Sequence, residues 1–282
     1  MNDENQKPAE VPAPAADDRR FDPQATDSGV SRPRWWIHFV LIGGYFTPLL
    51  FLRRPAGPAL THTPQGLIFV CLIDLLFFTI VFGLAWLASR ATREQLLLRW
   101  RPGFWVIPLG VAYSIGIRVA VVLIAIAVTV VLLATGLDQQ QVNQFWRSSQ
   151  PDVTSMVSIT AARSDPAYAW LLLTLVSFVS AGLREELWRA GTLAGMRALW
   201  PKAFGSGNGQ LLAIVIIAIA FGLGHLRLGV LGATVAGLLG FLLGLIMIIH
   251  RSIWPAVIAH GSFDALTFAI LSWLPATAHP LH

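Results

Sequence analysis

The segment YAWLLLTLVSFVSAGLREELWRAG, Tyr168 to Gly191, joins two kinds of chemistry. Its first fourteen residues carry no charge. The next eight include Arg184, Glu185, Glu186 and Arg189. An apolar run of this kind predicts a helix that spans a bilayer, which takes about 20 residues. If the helix ended near Gly182, the charges would be a cap at the membrane rim. The apolar periodicity continues to Trp200, so the helix carries the glutamate pair to about 22 Å from its far end, well inside the membrane.

The rest of the chain supports a membrane fold. Of 282 residues, 55% are hydrophobic and 12% charged, with a mean hydropathy of +0.63. Soluble domains carry about twice that share of charge. The formal charge of +5 and pI near 10.1 do not indicate nucleic-acid binding. The arginines gather in short loops between apolar runs, as membrane insertion requires. The one cysteine, Cys71, lies within an apolar run. It excludes an internal disulfide or a cysteine zinc site and reads as a small apolar residue.

Apolar segments at about 35–52, 66–88, 104–134, 168–200, 210–228, 230–249 and 254–274 predict an all-α, polytopic transmembrane bundle with a buried polar active-site cavity. The count is about seven spans, six to eight. Residues 1–34 read as a disordered cytoplasmic tail and not as a signal peptide. Residues 35–135 form the N-terminal transmembrane helices, 136–167 an extracytoplasmic loop, 168–274 the catalytic core and 275–282 a second tail. Basic residues in the tail, in the loop after the second span and in the loop after the fourth put the N-terminus in the cytoplasm of a multi-pass cell-membrane protein. Glu94–Trp105, basic and aromatic, reads as a linker at headgroup level.

Ionisable residues inside spans mark function by default. Asp74 and Arg118 fall at similar predicted depths in the second and third spans, and their plainest reading is an ion pair with each other. The remaining groups are Glu185/Glu186, His225 in Phe221–His225 (FGLGH) and His260/Asp264 in His260–Asp264 (HGSFD). The four-residue offset from His260 to Asp264 puts both on one helix face. Along their helices Glu185, His225 and Asp264 lie about 22, 22 and 15 Å from the inner ends, so three spans can deliver them to one level.

This set holds acids and imidazoles. Its one hydroxyl, Ser262, points about 160° away from Asp264, which makes a serine mechanism unattractive. Two routes to amide hydrolysis remain. In one, Glu185 and His225 activate water while His260 and Asp264 stabilise the oxyanion. In the other, Glu185, His225 and His260 ligate a divalent metal such as zinc, which lowers the pKa of bound water. No HExxH pair is present.

The Glu-Glu pair, Phe-x-x-x-His and His-x-x-x-Asp in consecutive spans resemble the CPBP family of intramembrane proteases, which includes the type two CAAX prenyl proteases and bacteriocin-immunity relatives. The resemblance covers about Trp170 to Trp273. It implies a membrane-embedded endopeptidase, of metalloprotease or glutamate-dependent type, acting on a membrane protein or lipidated peptide within the bilayer. It implies Glu185 as the catalytic glutamate, with Glu186, His225, His260 and Asp264 completing the site and Arg184, Arg189 and Phe221 supporting it. The family arginine follows Glu-Glu-x-x-x, whereas Arg189 comes one residue early. It stands at i+4 from Glu185 and i+3 from Glu186, while Arg184 offers a second partner. Two other readings compete. One is a non-proteolytic relative acting as a scaffold or immunity-type protein. The other is a transporter with an Asp74–Arg118–Glu185 proton relay, which would show internal repeats; the halves show none.

Overall fold

The computed structural model describes residues 31–45, 60–100, 103–153 and 156–273. The predicted tails, apart from the start of α1, and the second half of the first predicted span lie outside these residues. The described residues are mostly helical, with no strand among them. The helices are α1 (Arg32–Gly44), α2 (Pro64–Ser89), α3 (Val106–Ala134), α4 (Gln139–Ser148), α5 (Ile159–Ser164), α6 (Pro166–Leu199), α7 (Gly207–Gly224), α8 (Gly229–His250) and α9 (Trp254–Trp273). Short 3-10 turns precede α2, α3 and α8. Six helices, α2, α3 and α6 to α9, are long and apolar enough to cross a membrane. Rows of large apolar side chains on α2 and α3, such as Phe69, Leu72 and Leu76 or Val122, Ile126 and Val130, face outward. Lipid is the environment in which such a surface is stable.

Local chemistry sets the helix ends. Pro64 starts α2 behind Thr63, whose hydroxyl accepts from the Gly66 amide at 3.2 Å. Arg90 closes it in the left-handed region at φ 51°. Asp138 and Gln141 form a reciprocal capping box that starts α4. The 136–167 segment therefore holds two short helices, α4 and α5.

Helix α6 departs from a regular α-helix. From Leu172 to Leu183 it is a π-helix, with i→i+5 bonding, and it returns to α-geometry at Arg184. Ser177 adds a side-chain bond in the same spacing, its hydroxyl donating to the Leu172 carbonyl at 2.7 Å. Long π segments are rare and cluster at functional sites. Gly182 lets α6 and α9 approach closely: a Cβ there would stand 2.9 Å from the Val257 carbonyl oxygen. Gly222 does the same for α7 and α8, where a Cβ would meet the Ala233 carbonyl oxygen at 2.8 Å. Membrane helices associate through such close packing, because lipid removes the hydrophobic drive between them.

α3 packs along α9, and α1 lies between α2 and α6. Buried His38 of α1 spans that contact, with Nδ1 at 3.1 Å from the Ala85 carbonyl and Nε2 at 2.9 Å from the Gly191 carbonyl. At one end of the bundle, Ile253 N donates to the Leu97 carbonyl and Trp254 Nε1 to that of Leu98. Ser252 Oγ donates to the Arg99 carbonyl and Arg197 to that of Gln95. Leu96 and Leu97 are buried. The predicted headgroup linker is thus partly a plug that supports the start of α9. At the other end Tyr168 Oη donates to the Thr61 carbonyl, and Arg163 to the carbonyls of Leu271 and Ser272.

Candidate functional site

Helices α6 and α9 bring four of the predicted side chains together. Glu186 is fully buried, and its Oε1 accepts from both Arg189 and His260 Nδ1, the latter at 2.9 Å. Glu185 Oε1 accepts from Arg184 Nη2 at 3.1 Å. Glu185 Oε2 lies 3.8 Å from His260 Nε2 and 3.9 Å from Arg189 Nη2. Asp264 Oδ2 is 3.6 Å from the same His260 nitrogen, as the shared helix face predicted. His260 therefore sits at the centre of three carboxylates. Its Nδ1 carries a proton, because Glu186 Oε1 in the carboxylate form can only accept. Its Nε2 faces the free oxygens of Glu185 and Asp264.

Position in the sequence explains this arrangement. Glu186 and Arg189 are one helical turn apart and pair along α6. Gly182, one turn before Glu186, removes the side chain that would hold α9 away. Glu185 then lies on the neighbouring face, toward α2.

His225 is placed differently. The predicted span ran to residue 228, but α7 stops at Gly224 and His225 is its cap. Glycines at 222 and 224 weaken the helix there, and Gly229 at φ 81° turns the chain into α8. His225 is partly exposed; its Nδ1 lies 2.8 Å from the Phe221 carbonyl, and its ring is tilted 48° to that of Phe221 with the centroids 4.4 Å apart. Because a carbonyl only accepts, Nδ1 is the donor, and in the neutral ring Nε2 carries the lone pair. Phe221 also carries the Arg189 guanidinium 4.1 Å above its ring. It thus joins the glutamate–arginine pair to the His225 corner, and Asp264 lies within electrostatic range of Glu185, His225 and Arg118.

The Asp74–Arg118 pair does not form. Asp74 pairs with Arg184, and Tyr45 Oη donates to its Oδ1 at 3.0 Å. Arg118 donates to the Phe263 carbonyl and to Thr267 Oγ1, and lies 4.3 Å over the Phe263 ring. The reason is lateral packing: α2 lies against α1 and α6, and α3 lies against α9. Equal depth did not make the two helices neighbours at these residues.

The donor set does not fit a divalent metal. Among the described residues no group of three or more His, Cys, Asp or Glu side chains is arranged to hold one. One oxygen of each glutamate already accepts from a guanidinium. Among the described residues, the buried side-chain polar atoms without a hydrogen-bond partner are four arginine nitrogens, Arg118 Nε, Arg184 Nε, Arg189 Nε and Arg189 Nη2, which repel a cation, beside Ser180 Oγ and Glu186 Oε2.

Residues 167–266 match the family model for Rce1-like type II CAAX prenyl endopeptidases. The chain carries an Rce1-like domain. This segment runs from α6 into α9 and contains Glu185, Glu186, His225, His260 and Asp264, together with Arg184, Arg189 and Phe221. Tyr45, Asp74 and Arg118 reach the same region from outside the Rce1-like segment. Asp74 was conspicuous in the sequence as a lone carboxylate in an apolar run. Tyr45 carried no such signal. Comparison with curated proteins and with solved structures gave no match.

Proposed function

We propose that the protein is an intramembrane endopeptidase that hydrolyses a peptide bond of a membrane-associated protein or lipidated peptide, using a water activated by Glu185. The observation carrying this reading is that Glu185 Oε2 and Asp264 Oδ2 converge within 4 Å of His260 Nε2, on helices that cross the membrane. Membership of a protease family supports the reaction class.

Arg184 occupies Glu185 Oε1, so Oε2 is the oxygen that takes a proton from water. His225, with its lone pair on Nε2, assists at the same step. The water oxygen bonds to the scissile carbonyl carbon, and the carbonyl oxygen gains the negative charge. His260 Nε2 stabilises that oxyanion as a proton donor. Glu186 fixes the imidazole through Nδ1, and Asp264 flanks Nε2, which makes the doubly protonated ring the favourable partner of three carboxylates. The proton held on Glu185 then passes to the leaving nitrogen as the C–N bond breaks, giving a carboxylic acid and an amine. Water-excluding surroundings strengthen each of these interactions.

The test uses the full chain reconstituted in vesicles with quenched peptides of two kinds, one farnesylated on the cysteine of a C-terminal CAAX sequence and one held by an apolar transmembrane anchor. Cleavage of either kind by the wild type, lost in Glu185→Gln, is the expected result. Equal cleavage by both proteins would remove Glu185 from the reaction.

A further inference from the structure

We propose that Asp74, on α2 and outside the Rce1-like segment, is a positioning residue that keeps Glu185 Oε2 free by holding Arg184 away from it. The proposal rests on the reading of Glu185 as the base that activates water.

The geometry is a chain of four side chains across three helices. Tyr45, at the end of α1, donates to Asp74 Oδ1 at 3.0 Å. Asp74 Oδ2 pairs with Arg184 Nη1. Arg184 Nη2 donates to Glu185 Oε1 at 3.1 Å. The Glu185 Oε2 atom is left 3.8 Å from His260 Nε2. Both oxygens of Asp74 are thus engaged, and the two terminal nitrogens of Arg184 are divided between two carboxylates. Arg184 Nε is buried with no hydrogen-bond partner.

This division is not the arrangement an arginine beside a lone carboxylate adopts. A guanidinium prefers a two-pronged fork that covers both carboxylate oxygens. Arg184 and Glu185 are adjacent on α6 with one pair of oxygens between them. Without the Asp74 carboxylate, the pull that holds Nη1 toward α2 is lost, and the fork over Glu185 becomes the favoured geometry. A forked Glu185 has no free oxygen aimed at water or at His260. Asp74 therefore acts on the reaction through Arg184, without touching the reacting atoms. Its carboxylate, in an otherwise apolar stretch of α2, would be costly to keep in the membrane without such a partner.

The decisive variant is Asp74→Asn, which keeps the shape and the Tyr45 contact and removes the charge. The expected result is a fall in kcat of at least about tenfold with KM within about twofold, since a displaced base affects the chemical step and not binding. In an Arg184→Gln background the same change is expected to add nothing, because no guanidinium remains to be misdirected. An unchanged kcat, or a loss that repeats in full in the Arg184→Gln background, would overturn the proposal. Glu185→Gln in the same assay separates the two claims. If it cleaves as well as the wild type, the assignment of the base fails. If it is inactive while Asp74→Asn is fully active, only the positioning role fails. A readout independent of turnover is the infrared difference between each protein and its Glu185→Gln counterpart, which isolates the Glu185 carboxylate band. That band is expected to move in Asp74→Asn, and an unmoved band would contradict the proposal. Tyr45→Phe, a milder change at the far end of the chain, is expected to lower kcat in the same direction by a smaller factor. If Asp74→Asn does not fold, an unchanged kcat in Tyr45→Phe overturns the proposal.

Discussion

At the scale of single residues, Glu185 and Glu186 have different surroundings and different expected roles. Glu186 is locked between Arg189 and His260, while Glu185 Oε2 makes no hydrogen bond and lies within ion-pair range of His260 and Arg189. Arg189→Ala would leave the fully buried Glu186 carboxylate without its guanidinium. Breaking such a pair costs about 3–5 kcal/mol, so thermal unfolding in detergent should show a strongly destabilised protein; an unfolding temperature equal to the wild type would mean that the pair contributes nothing. His260→Ala should reduce kcat by about 10²–10⁴-fold through loss of the proton donor, checked by initial rates at saturating peptide. The arginine–carboxylate pairing also predicts that a chelator leaves the rate unchanged and that added zinc does not raise it. A chelator-abolished activity restored by zinc would contradict the donor-set argument. Much of this site was legible from residue spacing. A charge within an apolar run identifies itself, and i+4 spacing put His260 and Asp264 on one face. The partner of Asp74 was not legible, since spacing along a helix gives depth but not which neighbour lies beside it. Arg184 took the place expected of Arg118 because α2 faces α6.

At the scale of helices, the pair α6 and α9 makes the site. At Gly182 their backbones come close, and a Cβ there would meet backbone, which cannot rotate away. Gly182→Ala should therefore separate the helices, cost about 1–3 kcal/mol of stability by overpacking and draw His260 off Glu186. A fall in both thermal stability and cleavage rate is the expected outcome; wild-type values for both would show that the close approach is dispensable. The existence of these helices could be read from apolar length. Their internal geometry could not. The π segment Leu172–Leu183 has the same apolar composition as a regular span, so composition carries no sign of its spacing. The early stop of α7 was partly visible in Gly222, Gly224 and Gly229, yet the continuous apolar pattern outweighed it. His225 consequently caps a helix instead of lying within one.

At the scale of the whole molecule, the described basic residues separate by end. Arg32, Arg34, Arg90, Arg93, Arg99, Lys202 and Arg251 lie at or near the end where Leu97 meets Ile253. Arg147, Arg163 and Arg227 belong to the opposite end. The positive-inside bias predicts that the first end faces the cytoplasm. With Cys71 buried, single cysteines at exposed Asn208 and Gln140 report the two ends. A membrane-impermeant maleimide applied to intact cells should label Gln140→Cys, and Asn208→Cys only after lysis. The reverse pattern would invert the topology. The bundle architecture followed from composition and apolar length alone. The use of Tyr45 and Asp74 by a site on α6 and α9 belongs to the assembled molecule and had no local signature. The central claim, hydrolysis within the membrane by Glu185, is tested most directly by comparing wild type and Glu185→Gln, each reconstituted with membranes from cells lacking the protein, and sequencing new peptide termini by mass spectrometry. The account predicts new termini in or beside membrane-embedded segments with the wild type and none with Glu185→Gln. The same termini from both proteins, or none from the wild type, would contradict it.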